Sequence, residues 1–142
     1  MDGEFGAGTG LEGGSPRDGG VSWHRARTRA MVGLDLAVDE EAYQSFGFRA
    51  FVELERTTTV GASLRYNFWP AKSLSLFAGF TGVIAPETLA GVEAGSTFVI
   101  PFGKKFGLFI EPSLAALPLG SDLPKGSVVV WALLSAGLRF GL

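Results

Sequence analysis

Cysteine is absent from this chain, so no disulfide can staple the fold and thiol chemistry is excluded. A long apolar run is missing too. The hydrophobic residues, 46% of the total, fall in short interrupted stretches, none near the ~18 to 20 residues a membrane-spanning helix needs. Charged residues are only 18%, fewer than normally keep a soluble surface wet. A net charge of −2 and the lack of a basic face with interleaved aromatics give no reason to expect nucleic acid. No spaced His or Cys set offers a metal site, and Asp39-Glu40-Glu41 reads as a solvated turn. No cofactor is expected, because Gly6, Gly8 and Gly10 sit in a strand pattern with no helix after them to form a phosphate loop. The N-terminal Met1-Asp2-Gly3-Glu4 lacks the basic start and apolar core of an export signal. It is read as the start of a mature form, or of a sequence whose leader has been removed.

What is present is glycine, 21 residues of it, and aromatics at 12% in a chain of 142 residues, about the size of one domain. From about Ala26 onward the even-numbered positions are almost uninterruptedly apolar, the period of β-strands. In the last segment, near 128–142, Val128, Val130, Ala132, Leu134, Ala136, Leu138, Phe140 and Leu142 oppose Ser135, Gly137, Arg139 and Gly141. Val60, Ala62, Leu64, Tyr66 and Phe68 likewise oppose Gly61, Ser63, Arg65 and Asn67. After residue 26 charge reaches an even position only at Glu40, Arg56, Lys72, Lys104 and Asp122, each amid turn chemistry. The first three are 16 residues apart, a strand plus its turn. That accounts for about seven strands. An eighth lies near 4–12, where Phe5, Ala7, Thr9 and Leu11 alternate with glycines and Glu12, and Gly13 to Gly20 would be the first loop. The expectation is a single all-β domain over 1–142, an antiparallel up-and-down transmembrane β-barrel of about eight strands.

Alternation alone leaves a lipocalin-like soluble ligand-binding barrel, apolar inward, as the alternative. The polar face favours the membrane reading. All four lysines, Lys72, Lys104, Lys105 and Lys125, fall at turns or strand ends. Within strands stand Arg25, Arg27, Arg29, Arg49, Arg65 and Arg139, accompanied by Asp35, Glu53, Glu55, Glu93 and Glu111. A nearly balanced arginine–carboxylate set suits a narrow lumen where charges must pair. Glycines such as Gly33, Gly47, Gly61 and Gly79 share that face and leave room for the arginines. A hairpin centred on Glu40 would set Arg27 opposite Glu53 and Arg25 opposite Glu55. An aromatic girdle is expected from Tyr43, Phe46, Phe68, Trp69, Phe102, Phe106 and Phe140 at one end, with Trp23 and Trp131 at the other rim. The only histidine, His24, lies near Ser22 and Arg25 without a carboxylate beside it in sequence, so no catalytic residue is assigned and no enzyme is expected.

With these features the chain resembles the small eight-stranded bacterial outer-membrane proteins, the class of the OmpA membrane domain, OmpX and OmpW. The C-terminal strand carries the most specific likeness, with Leu134, Ala136, Leu138 and Phe140 alternating toward a final Leu142 where the class usually ends in an aromatic. The resemblance implies the outer membrane of a diderm bacterium, multi-pass, with both termini periplasmic. It also implies membrane lipids and the barrel-assembly machinery as partners, and a monomer. The expected role is membrane-structural or that of a minor porin, the alternative being adhesion or ligand binding through outer loops.

Overall fold

A computed structural model describes residues 1–15, 22–26, 28–54, 58–121, 123 and 126–141, with the backbone alone at Ser15 and Ser22. Regular structure among these is entirely β: β1 (Asp2–Ser15), β2 (Ser22–Arg25), β3 (Arg29–Ala37), β4 (Gln44–Glu53), β5 (Thr59–Ala71), β6 (Leu74–Ala85), β7 (Leu89–Pro101), β8 (Phe106–Gly120) and β9 (Val128–Gly141). Every pairing is antiparallel, and β1 meets β9 from Asp2↔Gly141 to Ser15↔Val128, which closes the sheet. Both β2 and β3 lie on the other edge of β1, β2 against Leu11 to Gly14 and β3 against Asp2 to Gly8. They make one interrupted stave, so the barrel has eight. The first strand is longer than the 4–12 expected, because β9 and β2 go on pairing with it through Gly14.

The alternation becomes an inside-out protein. Apolar side chains such as Phe5, Val32, Phe48, Leu64, Phe80, Ile100 and Leu114 are at least half exposed on the outer wall, while Glu4, Arg29, Asp35, Arg49, Glu53, Arg65, Glu93 and Glu111 are buried within. This excludes the soluble lipocalin-like barrel, whose apolar residues would fill the interior. Close contact between staves requires glycine at several inward positions. At Gly137 a Cβ would lie 2.1 Å from the Phe5 carbonyl oxygen, and at Gly79 2.1 Å from that of Leu64.

Two local features depart from the simple alternation. Gly14 faces Ser22 but Gly8 faces Arg29, so the second stave carries one residue more than β1 over this stretch, a β-bulge. The extra residue flips side-chain parity: Ala26 is buried in the β2 section, whereas Arg29 and Met31 are buried in β3. The β3–β4 hairpin is centred on Glu41, with Ala37 opposite Ser45 and Arg29 opposite Glu53. Its loop holds Ala42 at φ 56°, and the Val38 N–H donates to the Gln44 carbonyl at 2.9 Å. The Gln44 N–H donates to Asp39 Oδ1 at 3.3 Å. Placing the left-handed residue at Ala42 moves the centre one position beyond Glu40. Opposing numbers therefore shift by two: each side chain keeps its face, but its partner changes.

Candidate functional site: the ion-paired lumen

Four arginines on four staves project inward because each occupies an odd position of β3, β4, β5 or β9. Nearest the end that carries Asp2 and Gly141, Arg139 reaches Asp35 at 2.6 Å and Asp2 at 2.9 Å, with Glu4 at 3.6 Å. Asn67 supports Asp35 at 3.2 Å. Deeper in, Arg49 donates from Nε to Glu4 and places both terminal nitrogens on Glu111, at 2.5 and 2.7 Å. Glu111 also accepts from Arg65 at 2.7 Å and from the Thr97 hydroxyl at 2.8 Å. Arg65 in turn grips Glu93 bidentately at 2.5 and 3.1 Å. Toward the far end Arg29 pairs with Glu53 at 2.8 Å, and the Thr59 hydroxyl adds a 2.8 Å bond to the same carboxylate.

The hydrocarbon floor under each cation is aromatic. Arg29 lies 4.2 Å from the Phe51 ring centroid and 4.5 Å from that of Trp131; Arg65 lies 4.1 Å over Phe77, Arg139 4.5 Å over Trp69 and Arg49 5.6 Å from Phe109. Planar guanidinium suits both partners at once, with edges for carboxylates and a face for a ring. Lysine could not do this.

Of the residues singled out from sequence, Arg29, Asp35, Arg49, Glu53, Arg65, Glu93, Glu111 and Arg139 meet in the lumen. Arg25 does not. The bulge turns it outward, where it is exposed and donates to Thr28 Oγ1 at 3.1 Å. Arg27 and Glu55 lie outside the described residues, and so do the expected Arg25–Glu55 and Arg27–Glu53 pairings; in the β3–β4 register the residue opposite Glu53 is Arg29. The girdle also needs correction. Tyr43, Phe46, Phe68, Phe102 and Phe106 are exposed at the end that carries Asp2 and Gly141, Phe140 is partly covered beside them, and Trp23 is exposed. Trp69 and Trp131 are buried in the lumen. Their odd numbers place them on the charged face, and interior cations hold them there.

Asp2, Glu4 and Glu12 join the lumen beyond the expected set, and the glycine-rich even face of the first strand is the signal that points them inward. Phe51, Phe77 and Phe109 join it as well; each is an apolar residue at a polar position, a signal in its own right. His24 has a carboxylate partner after all, Glu12 at 3.0 Å, and the other oxygen of Glu12 accepts the Trp131 indole N–H at 2.6 Å. Strand pairing supplies that contact across β1 and β2.

Along the lumen, space opens at each of the two mouths. A cavity of about 490 Å³ at the Asp2/Gly141 end is floored by Arg139 and Trp69, and one of about 260 Å³ at the other end reaches Glu53 and Trp131. Between them, among Arg29, Arg49, Arg65 and Glu93, the described residues leave about 20 Å³.

A closed, eight-staved, all-antiparallel barrel with an apolar outer wall and a polar interior has the fold of the small outer-membrane barrels, in which strands rather than helices cross the bilayer. No family model matches the chain, and no curated protein does. Among solved structures it is similar to Ail, the attachment invasion locus protein of Yersinia pestis, with a TM-score of 0.56 and 15% identity over 98% of both chains. A de novo designed transmembrane β-barrel aligns at a TM-score of 0.49 and 12% identity, covering 96% of this chain and 95% of that one.

Proposed function

We propose that this outer-membrane barrel is a membrane-structural protein whose lumen is plugged by its own ion pairs, without enzymatic activity. The observation that carries this reading is the central constriction: Arg29, Arg49 and Arg65, with their carboxylates and rings, leave only about 20 Å³ between the two mouths. A hydrated ion needs far more room, and each charge that would line a pathway is already spent on a neighbour. In this reading the chain works as a monomer among membrane lipids, assembled by the barrel-assembly machinery. The short connections at 38–43, 72–73 and 102–105 face the periplasm together with both termini.

Planar-bilayer recording of refolded protein tests the plug. Wild type is expected to be silent, and Arg49→Ala, which takes one guanidinium from Glu4 and Glu111 together and vacates its volume, is expected to open discrete conductance steps. Steady wild-type conductance would instead make passage of small solutes the function. A second reading, surface attachment, is favoured by the likeness to Ail. It would reside in the connections at the end opposite the termini, and exchanging residues 16–21 and 122–126 for glycine–serine linkers should abolish cell attachment if it is right, leaving conductance unchanged.

A further inference from the structure

Four buried side-chain atoms have no hydrogen-bond partner among the described residues: Glu4 Oε2, Arg29 Nε, Ser75 Oγ and Thr81 Oγ1. Two belong to residues that line the same space. Arg29, on β3, and Thr81, on β6, both border the central cavity of about 20 Å³, together with Ser63, Ser135, Arg65 and Glu93. Both residues are about 95% buried, so bulk solvent does not satisfy them. Arg29 has committed Nη2 to Glu53, and its Nε–H remains a donor without an acceptor.

The chemistry of the occupant follows from those two groups and the charges around them. A metal or ammonium ion is ruled out, because the unmet Arg29 group is an N–H donor on a cation. A halide would accept from it too, but the three guanidiniums that border the space, of Arg29, Arg49 and Arg65, each already hold a carboxylate, and the space is that of a single water. What remains is a small neutral molecule with lone pairs and protons of its own. A polar void above about 10 to 15 Å³ with two to four partners is the size that holds one water.

We infer that the lumen contains one ordered water, which accepts from Arg29 Nε–H, exchanges a hydrogen bond with Thr81 and faces Glu93. It links the Arg29–Glu53 pair to the Arg65–Glu93–Glu111–Arg49 network by hydrogen bonds. The inference does not depend on whether the barrel conducts, since a bound water would be present in either case.

The test uses the whole barrel in lipid nanodiscs, with arginine labelled at Nε and the Arg29 signal identified by its loss in Arg29→Met. A water-to-Arg29 Hε cross-peak with the sign of a long-lived contact is expected in wild type. Thr81→Ile replaces the hydroxyl with an ethyl group that fills the void, and the cross-peak should vanish while the dispersed amide spectrum persists. If that variant does not fold, a crystal structure of wild type grown in bromide decides. Solvent density at the cavity without anomalous signal supports the water; an anomalous peak would make the occupant an anion, and an empty cavity or a missing wild-type cross-peak would overturn the site.

Discussion

The Arg29–Glu53 pair offers a quantitative test of the lumen, because both partners are buried and meet at 2.8 Å. Replacing Arg29 with methionine preserves much of the stem volume but removes the guanidinium, which makes the 2.8 Å bond to Glu53 and lies over two rings. Removing one partner of a buried pair costs about 3–5 kcal/mol, because the remaining charge loses a counter-ion. Loss of the two ring contacts adds about 0.5–2 kcal/mol each when desolvated. Working against this, Glu53 keeps the Thr59 hydroxyl at 2.8 Å, and thioether packing on Phe51 and Trp131 recovers part of the ring contact. The net expectation is a loss of about 3–5 kcal/mol, a large share of the ~5–15 kcal/mol a folded domain holds. Adding Glu53→Gln removes the carboxylate that has lost this cation, so the double variant should be more stable than Arg29→Met alone by at least about 1 kcal/mol. Urea titrations in lipid vesicles, followed by the heat-modifiable gel shift and tryptophan fluorescence, give these free energies. A cost below about 1 kcal/mol for Arg29→Met, or strict additivity in the double variant, would refute both the register and the buried pairing.

Leu134→Arg, at a position 56% exposed on the outer wall, should cost about 2–4 kcal/mol in bilayer refolding if it lies near the midplane; a neutral result would mean this wall does not meet lipid. Quenching by bilayer-resident brominated lipid should be lost in Trp23→Phe but kept in Trp69→Phe and Trp131→Phe, since only Trp23 faces outward. Gly137→Val should abolish the folded gel form, because its Cβ would press on the Phe5 carbonyl oxygen at 2.1 Å and force β9 away from β1. Gly103→Ala, with nothing within 4 Å of the added carbon, should refold like wild type.

The pattern of residues alone determined the all-β class, the eight staves and, outside the β2 section of the second stave, which face of each strand is charged. These are local properties: side-chain direction alternates strictly along a strand, and an inward arginine is inward whatever its partner. Glu4 and Glu12 were legible by the same rule on the first strand, and so were Trp69 and Trp131, whose odd positions outweigh the habit of placing tryptophan at an interface. Partner identity was decided only by the tertiary structure. A loop with its left-handed residue at Ala42 instead of one centred on Glu40 moved the β3–β4 register by two and set Arg29 opposite Glu53. One extra residue in the second stave turned Arg25 out of the lumen. Strand closure then brought Glu4, Arg49, Glu111 and Arg65, spread over more than a hundred residues of sequence, into one network. Contacts of that kind depend on how eight strands register around a ring, and a displacement of one or two residues, nearly free in local energy, redistributes them all.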